Sequence, residues 1–174
     1  MIIRPPNYLH CPFDGSLLKT RVEESDKERN YCPVCKWKYY PTVCYSATGL
    51  IVKNNKVLMA KRRNFPHAGK WVFPAGFAEY GEHPGEALAR EIEEELNVKI
   101  SDASIIDIYQ STDDIRALGH LIVAYLVTVI GTPKNNDPEE NSIIGWHNIK
   151  GAPPEIAFEI HREKLWPWLQ SNTR

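Results

Sequence analysis

Apolar and polar positions alternate over several short stretches after Tyr45, which is the pattern of half-buried β-strands. Residues 47–52 and 56–62 flank a polar turn at 53–55 and predict a β-hairpin. Residues 121–130 form an apolar run rich in β-branched side chains, typical of a central strand. Shorter strands are predicted at 105–109 and 143–146.

Residues 84–96 have the spacing of an amphipathic helix. Leu88, Ile92 and Leu96 recur at four-residue intervals and form an apolar stripe that can pack on a sheet. Pro84 suits the first helical position, and Asn97 suits the left-handed residue that ends a helix. The pattern therefore predicts one helix between these two residues.

The connecting segments are rich in polar residues, Gly and Pro, and predict loops at 65–74, 112–120 and 131–141. Trp71 and Phe73 in the first loop are expected to fill the core. His120 is expected to be a structural residue at a strand edge. A closing helix is predicted over 154–169, with Ile156 and Ile160 among its apolar positions.

The helix at 84–96 also carries an acidic face, because Glu91, Glu94 and Glu95 fall within an arc about 100° wide. Like charges four residues apart destabilise a helix by roughly 0.2–0.5 kcal/mol per pair, so the cluster favours a bound counter-charge. Hard carboxylate oxygens prefer Mg²⁺ or Mn²⁺ to zinc. From the helix alone, a solvated acidic face is the alternative interpretation.

The loop before the helix extends this pattern into a motif. Its fixed positions are Gly76, Glu82, Arg90, Glu91, Glu94 and Glu95, with apolar residues at Ile92 and Val98. The spacing resembles the Nudix box, Gly-x5-Glu-x7-Arg-Glu-(apolar)-x-Glu-Glu-x-Gly-(apolar), at every fixed position except the last glycine. Asn97 stands there instead, and because asparagine tolerates a positive φ, the helix cap is expected to survive.

The resemblance implies a Nudix hydrolase, which cleaves the diphosphate of a nucleoside diphosphate linked to another group with Mg²⁺ or Mn²⁺ and water. It implies an α/β fold, a Nudix α/β/α sandwich with a mixed sheet. It assigns metal binding to Glu91, Glu94, Glu95 and the carbonyl of Ala75. It also implies that Arg90 pairs with Glu82 to fix the loop to the helix, and that Glu139 or Glu140 is a further metal ligand or general base.

Candidate substrate contacts lie outside the motif. Arg62 and Arg63 end the predicted hairpin, and alternation sends them to opposite faces, so one of them can reach a phosphate unless both are solvated. Phe77, Tyr109 and Trp146 can stack on an adenine, or belong to the core.

Residues 1–44 carry all four cysteines and predict a zinc-ribbon-like unit before a Nudix domain at 45–174. Cys32-Pro-Val-Cys35 is an intact zinc knuckle, whereas Cys11-Pro-Phe-Asp14 has aspartate in place of the fourth cysteine. The fourth ligand is open between Asp14, His10 and Cys44, and a metal-free ribbon is the alternative. The segment resembles the N-terminal ribbon of some Nudix hydrolases and is expected to be structural or to form a homodimer.

The net charge of −1 in 174 residues gives no broad field that favours nucleic acid or a membrane surface. We expect a cytoplasmic protein with a small nucleotide-containing substrate and no nucleic-acid partner. The ending 153–160 is similar to that of ribbon-bearing members assigned to ADP-ribose or FAD, and no Ser-Gln-Pro-Trp motif of NADH-cleaving members follows the box. The favoured substrate is ADP-ribose or a related ADP-containing metabolite (FAD, NAD(H)), giving AMP and a phosphorylated remainder. The alternatives are a housecleaning nucleoside triphosphate pyrophosphatase and a non-catalytic Nudix ligand sensor.

Overall fold

The computed structural model describes residues 8–23, 27–151 and 153–173. The chain divides into two compact units, with the boundary between Val43 and Cys44. No helix in these ranges is long and apolar enough to cross a membrane.

The first unit is built on two equivalent turns and a short hairpin. Strands β1 (Lys19–Val22) and β2 (Glu28–Tyr31) pair antiparallel. The amide of Gly15 donates to the carbonyl of Cys11, and the amide of Lys36 donates to the carbonyl of Cys32. Gly15 and Lys36 both have a positive φ, 72° and 65°. The two turns therefore share one backbone geometry, although only one of them has two cysteines.

The second unit contains seven strands. They are β3 (Tyr45–Lys53), β4 (Lys56–Arg62), β5 (Trp71–Val72), β6 (Ala75–Phe77), β7 (Lys99–Gln110), β8 (Leu121–Ile130) and β9 (Asn141–Asn148). In the mixed part of the sheet, β3 runs parallel to β8 and antiparallel to β6, and β7 pairs antiparallel with β8. β4 pairs with β5 and β9, and joins β3 through the predicted hairpin turn, where Asn54 and Asn55 have φ of 51° and 58°.

Helix α1 (Pro84–Leu96) covers one face of the sheet and has the predicted bounds. His83 and Glu86 form a reciprocal capping box at its start, and Asn97, with φ of 53°, ends it. The helix packs closely because Gly49 on β3 has no side chain. A Cβ there would lie 3.1 Å from Ile92 and 3.2 Å from Leu88.

The other face is covered by the C-terminal segment, so that the sheet lies between two helical layers. Phe73, Trp166 and Leu169 belong to one buried cluster with residues of β3, β4 and β8. This arrangement confirms the predicted α/β class.

The predicted closing helix at 154–169 is wrong at its start. The structure has a π-helical turn at His161–Leu165 followed by α2 (Trp166–Asn172). The segment before this turn pairs instead with the backbone of Trp71. The amide of Trp71 donates to the carbonyl of Glu155, and its carbonyl accepts from the amide of Ala157. The helix does not start here because the pairing with Trp71 takes the carbonyl of Glu155 and the amide of Ala157, which a helix over these residues would need.

Strand β7 is longer than the predicted 105–109. Its register shifts between Ile100 and Asp102 and again between Ile105 and Asp107. Each irregularity resets which residues face the core, so the sequence loses the strict alternation by which a strand is recognised.

Candidate active site

A cavity of about 250 Å³ opens between α1, the start of β3, β6 and the C-terminal segment. Its lining includes three carboxylates from α1 and the loop before β9, which are called the acidic wall below: Glu91, Glu95 and Glu140. It also includes cationic and imidazole groups, which are called the basic wall: Arg62, Arg116, His120 and His161. The names refer to these two sets of residues.

The acidic wall begins where β6 meets α1. Gly76 pairs with Ala47 on β3, directly beneath the side chain of Glu91. A Cβ at residue 76 would overlap the Glu91 carboxyl group. Glycine is therefore required here if Glu91 is to lie against the backbone of β6.

Arg90 joins the preceding loop to the helix, as the motif predicts. Its Nε and Nη2 each donate to the Glu82 carboxylate at 3.0 Å, and Nη2 also donates to the Phe77 carbonyl at 3.0 Å. These hydrogen bonds from Arg90 lower the pKa of Glu82. Tyr45 adds a hydrogen bond from its hydroxyl to the Glu82 carbonyl. The loop that carries the motif is thus fixed by contacts from two directions.

The three carboxylates of the α1 motif differ in burial: Glu95 is buried, Glu91 is partly buried and Glu94 is exposed. Glu95 is 5% exposed, and its Oε2 has no hydrogen-bond partner among the described residues. Burial, followed by repulsion from Glu140 and Glu91, raises the pKa of Glu95 well above its usual value. Burial also raises the pKa of Glu91, although Arg90 donates to it at 2.7 Å. Glu94 is 60% exposed and accepts from Arg90 at 3.2 Å.

This donor set fits a hard divalent cation. Ala75 also lines the cavity beside Glu91 and Glu95, so carboxylate and carbonyl oxygens occur together. An unpartnered buried carboxylate oxygen among like charges is a site that a cation would stabilise.

Arg62 and Glu140 both line the cavity, and their sequence neighbours Arg63 and Glu139 do not. Arg62 is 6% exposed, donates from Nε to the Pro66 carbonyl at 2.7 Å, and places Nη1 3.8 Å from Glu140. Arg63 points elsewhere and donates to the Pro138 carbonyl at 2.6 Å. Neither Arg63 nor Glu139 is among the cavity-lining residues that the structure describes.

The three residues predicted to stack on an adenine lie in different parts of the structure. Phe77 lines the cavity. Tyr109 packs instead against the buried cluster that contains Phe73. Trp146 lines a second cavity of about 550 Å³ beside the β3–β4 hairpin. Of these three residues, all of which the structure describes, Phe77 alone therefore lines the cavity with Arg62, Glu91 and Glu95.

Most of the basic wall was missed by sequence reasoning. It comes from the 111–120 loop and the 156–161 segment, which are joined by the amide of Glu159 donating to Asp113 at 2.8 Å. Arg116 donates to both oxygens of Asp114, at 3.0 and 2.8 Å. The only sequence signal was an acidic and a basic residue two positions apart within a short loop.

The two histidines of the basic wall have defined hydrogen bonds. His120 was expected to be structural, and its Nδ1 does donate to the Ala117 carbonyl at 2.8 Å while Nε2 lies 3.2 Å from the Ser46 hydroxyl. Its ring nevertheless lines the cavity. His161 is 3% exposed and accepts from the amide of Phe73 through Nδ1. Burial, with repulsion from Arg62, lowers the pKa of His161 to about 3. This imidazole is therefore neutral at neutral pH.

The first unit holds a separate group of possible metal ligands. One atom each of Cys11, Asp14, Cys32 and Cys35 lies within 4.8 Å of all the others. The amides of Val34 and Cys35 donate to Cys32 Sγ at 3.4 and 3.3 Å, as in a zinc knuckle. Asp14 thus takes the fourth place, and this group includes neither His10 nor Cys44.

The electrostatics of this group are those of a crowded thiol site. Hydrogen bonds from Ser16 hold the pKa of Asp14 below its usual value. The amide of Trp37 lowers the pKa of Cys35, but desolvation and side-chain hydrogen bonds with Cys32, Cys11 and Asp14 outweigh this effect and raise the pKa to about 12. A bound cation would favour the thiolate instead.

Comparisons with known proteins agree with the geometry of the cavity. The model of the NUDIX domain matches residues 45–169. An ADP-ribose pyrophosphatase from Methanocaldococcus jannaschii is 34% identical over 128 residues, which cover 71% of this chain and 72% of that protein. The NAD-capped RNA hydrolase NudC from Pseudomonas putida is 26% identical over 82% of this chain and half of its own length.

A crystal structure of a NUDIX hydrolase from Nitrosomonas europaea superposes with a TM-score of 0.72 at 24% identity, covering 95% of this chain and 92% of that one. That likeness shows a common fold. The match to residues 45–169 includes all the residues of the acidic wall and of the basic wall. The chain therefore belongs to the Nudix family and is a hydrolase of pyrophosphate bonds.

Proposed function

We propose that this protein hydrolyses the diphosphate of ADP-ribose, or of a closely related ADP-linked metabolite, to AMP and a phosphorylated remainder. The observation that carries the proposal is that the buried Glu95, the partly buried Glu91 and the guanidinium of Arg62 line one cavity. A diphosphate needs both a cation held by carboxylates and direct cationic contacts. The M. jannaschii relative is named for hydrolysis of this substrate.

Mg²⁺ or Mn²⁺ is the proposed cofactor, held by Glu91, Glu94, Glu95 and the carbonyl of Ala75. When bound, the ion supplies Lewis-acid polarisation of a phosphoryl oxygen and lowers the pKa of a coordinated water. The preference for these ions over zinc follows from an all-oxygen donor set. The exposed Glu94 is the outermost of these residues, and Arg90 holds its carboxylate.

The residues of the chain have separate roles in this proposal. Arg90 and Glu82 keep the motif loop and α1 in register. Arg62 binds phosphate oxygens, and Phe77 supplies an apolar face of the cavity. Glu140 takes the proton from the attacking water, because its carboxylate lines the cavity and that of Glu139 does not. Water then forms the new P–O bond as the bridging oxygen leaves with the second product.

The first unit is proposed to hold one structural Zn²⁺ through Cys11, Asp14, Cys32 and Cys35. A unit of about forty residues rarely builds a sufficient core without such a staple. Native mass spectrometry of the full chain is expected to show one zinc per molecule, lost in Cys32→Ser and kept in Cys44→Ser. Equal zinc content in the two variants would contradict this ligand set.

A second candidate substrate is an NAD-linked compound. The alignment with the NAD-capped RNA hydrolase covers 82% of this chain and so extends beyond the motif. NAD and ADP-ribose share the ADP moiety, so a site for one offers contacts to the other.

The experiment that tests the function is AMP release from a substrate panel with Mg²⁺ or Mn²⁺. The panel contains ADP-ribose, FAD, NADH and nucleoside triphosphates, and also NAD-capped RNA, for which release of nicotinamide mononucleotide is followed instead because the adenosine stays on the RNA. We expect ADP-ribose to be cleaved, and Glu95→Gln to lower kcat by about 10³-fold, since it removes a buried ligand charge at constant volume. Glu93→Gln, on the exposed side of α1, is the matched control.

The outcomes of the panel are distinct. Cleavage of triphosphates alone would replace the proposed substrate with the housecleaning alternative. Tight binding of an ADP-linked compound without turnover, unchanged in Glu95→Gln, would favour a ligand sensor instead.

A further inference from the structure

Arg116 has the features of a ligand-binding cation, and the Nudix motif does not include it. Its Nε and Nη2 are fixed on Asp114, which is 3% exposed. None of the described residues accepts a hydrogen bond from its Nη1. The side chain is 39% exposed and lines the cavity. One edge of the guanidinium is thus held by protein, and other N–H groups are free to donate.

Two aromatic rings restrict the guanidinium further. Its central carbon lies 5.4 Å from the ring centroid of Phe77 and 5.8 Å from that of Phe158. Cation–π contacts of this kind orient an arginine without using its N–H donors. The side chain is therefore pre-organised, so little entropy is lost when a ligand binds.

A second guanidinium shares one of these rings. Arg62 lies 5.5 Å from the centroid of Phe158 and is almost fully buried. Burial lowers the pKa of Arg62, and repulsion from Arg116 adds to the effect. Two cations brought together in a partly buried site favour an anion between them. A phosphate offers oxygens that match guanidinium donors in geometry and charge.

We infer that Arg116, positioned by Asp114 and the rings of Phe77 and Phe158, binds phosphate oxygens of the substrate's diphosphate together with Arg62. The inference rests on the proposed function for the identity of the ligand. In this arrangement the basic wall takes the diphosphate within the cavity that Glu91 and Glu95 also line. Arg116 is a binding residue, and Asp114 is a positioning residue that acts through it.

The test is calorimetric binding of α,β-methylene-ADP, a diphosphate analogue with no cleavable bridging oxygen, in the presence of Mg²⁺. We expect Arg116→Gln to raise the dissociation constant by about tenfold or more, since a charge-assisted hydrogen bond to the phosphate is lost. Arg116→Lys keeps a positive charge beside Asp114, and its dissociation constant should lie between those of the wild type and Arg116→Gln. Binding of adenosine should not change.

Arg162→Ala is the matched control, because Arg162 is an exposed guanidinium that also pairs with a carboxylate, Glu163, at 3.1 Å. It should bind the analogue within twofold of the wild type. Folding of each variant is checked by thermal melting. Wild-type affinity in both folded Arg116 variants would overturn the inference, and so would failure of the wild type to bind the analogue.

Asp114→Asn tests whether Asp114 positions Arg116 for the substrate or only stabilises the fold. With a cleaved substrate we expect KM to rise about tenfold while kcat changes less, because ground-state and transition-state binding are lost together. A loss of kcat of about tenfold with an unchanged KM would contradict the proposal that Asp114 positions Arg116. Binding of the analogue without hydrolysis of any substrate would refute the proposed function and leave Arg116 as a diphosphate-binding residue.

Discussion

The two walls of the cavity arise from the sequence in different ways. The acidic wall is mostly local, because Glu91 and Glu95 lie one turn apart on α1 and their face is fixed by helical periodicity. The basic wall is assembled from β4, the 111–120 loop and the 156–161 segment. The acidic wall can therefore be predicted from a local sequence motif, whereas the basic wall forms only in the tertiary fold.

The walls also differ in how their charges are compensated. On the acidic wall, Glu95 has a buried oxygen with no partner among the described residues, and like charges raise its pKa. On the basic wall, Arg116 is paired with Asp114, and its hydrogen bonds hold the pKa of Asp114 below the usual value despite burial. A bound cation would therefore stabilise the acidic wall, whereas Arg116 on the basic wall already has a protein partner.

The largest effect that sharpens this difference is expected from Gly76→Ala. The added Cβ would overlap the end of the Glu91 side chain, which is flexible and can move aside. We expect kcat to fall by about 10²-fold because a misplaced group costs catalysis steeply. The melting temperature should change little, since no core packing is lost. Steady-state kinetics and thermal melting measure the two quantities.

Gly85→Ala is the control for this substitution. A Cβ at residue 85 would lie 3.4 Å from the ring of His83, the residue that caps α1, which is an ordinary contact distance. Its activity should stay near that of the wild type. If Gly76→Ala also keeps full activity, the close approach of β6 to Glu91 does not matter for catalysis.

Prediction from sequence succeeded where contacts are local. The bounds of α1, its asparagine cap and the β3–β4 hairpin were all specified by residues within one or two turns of each other. It failed for the closing helix, because apolar spacing at 156 and 160 fits both a helix and a segment that pairs with Trp71.

The candidate site shows the same limit. Arg62 and Arg63 are equivalent in sequence, and only the path of β4 buries the first and turns the second toward Pro138. Asp114 and Arg116 are common surface residues, and their role depends on Phe77 and Phe158, which lie about forty residues away on either side. No spacing rule connects residues at such distances.

A smaller effect, on stability at acid pH, is expected from His161 on the basic wall. Its pKa in the folded protein is about 3, against 6.5 for an unperturbed histidine. Above pH 6.5 the imidazole is neutral in both states, and its contribution to stability is complete. As the pH falls below 6.5, His161 becomes protonated in the unfolded state but stays neutral in the folded state. The free energy of unfolding should therefore drop by about 1.4 kcal/mol for each pH unit toward 3.

Denaturant unfolding of metal-free protein at pH 7 and pH 4.5 measures this loss. His161→Gln cannot titrate, so its free energy of unfolding should fall less between the two pH values than that of the wild type. His147→Gln is a graded comparison, because burial lowers the pKa of His147 in the same direction but this residue is only half-buried. An identical acid loss in the wild type and in His161→Gln would show that the imidazole is protonated in the folded protein. The basic wall would then carry an additional charge, and the neutral imidazole inferred at this position would be excluded.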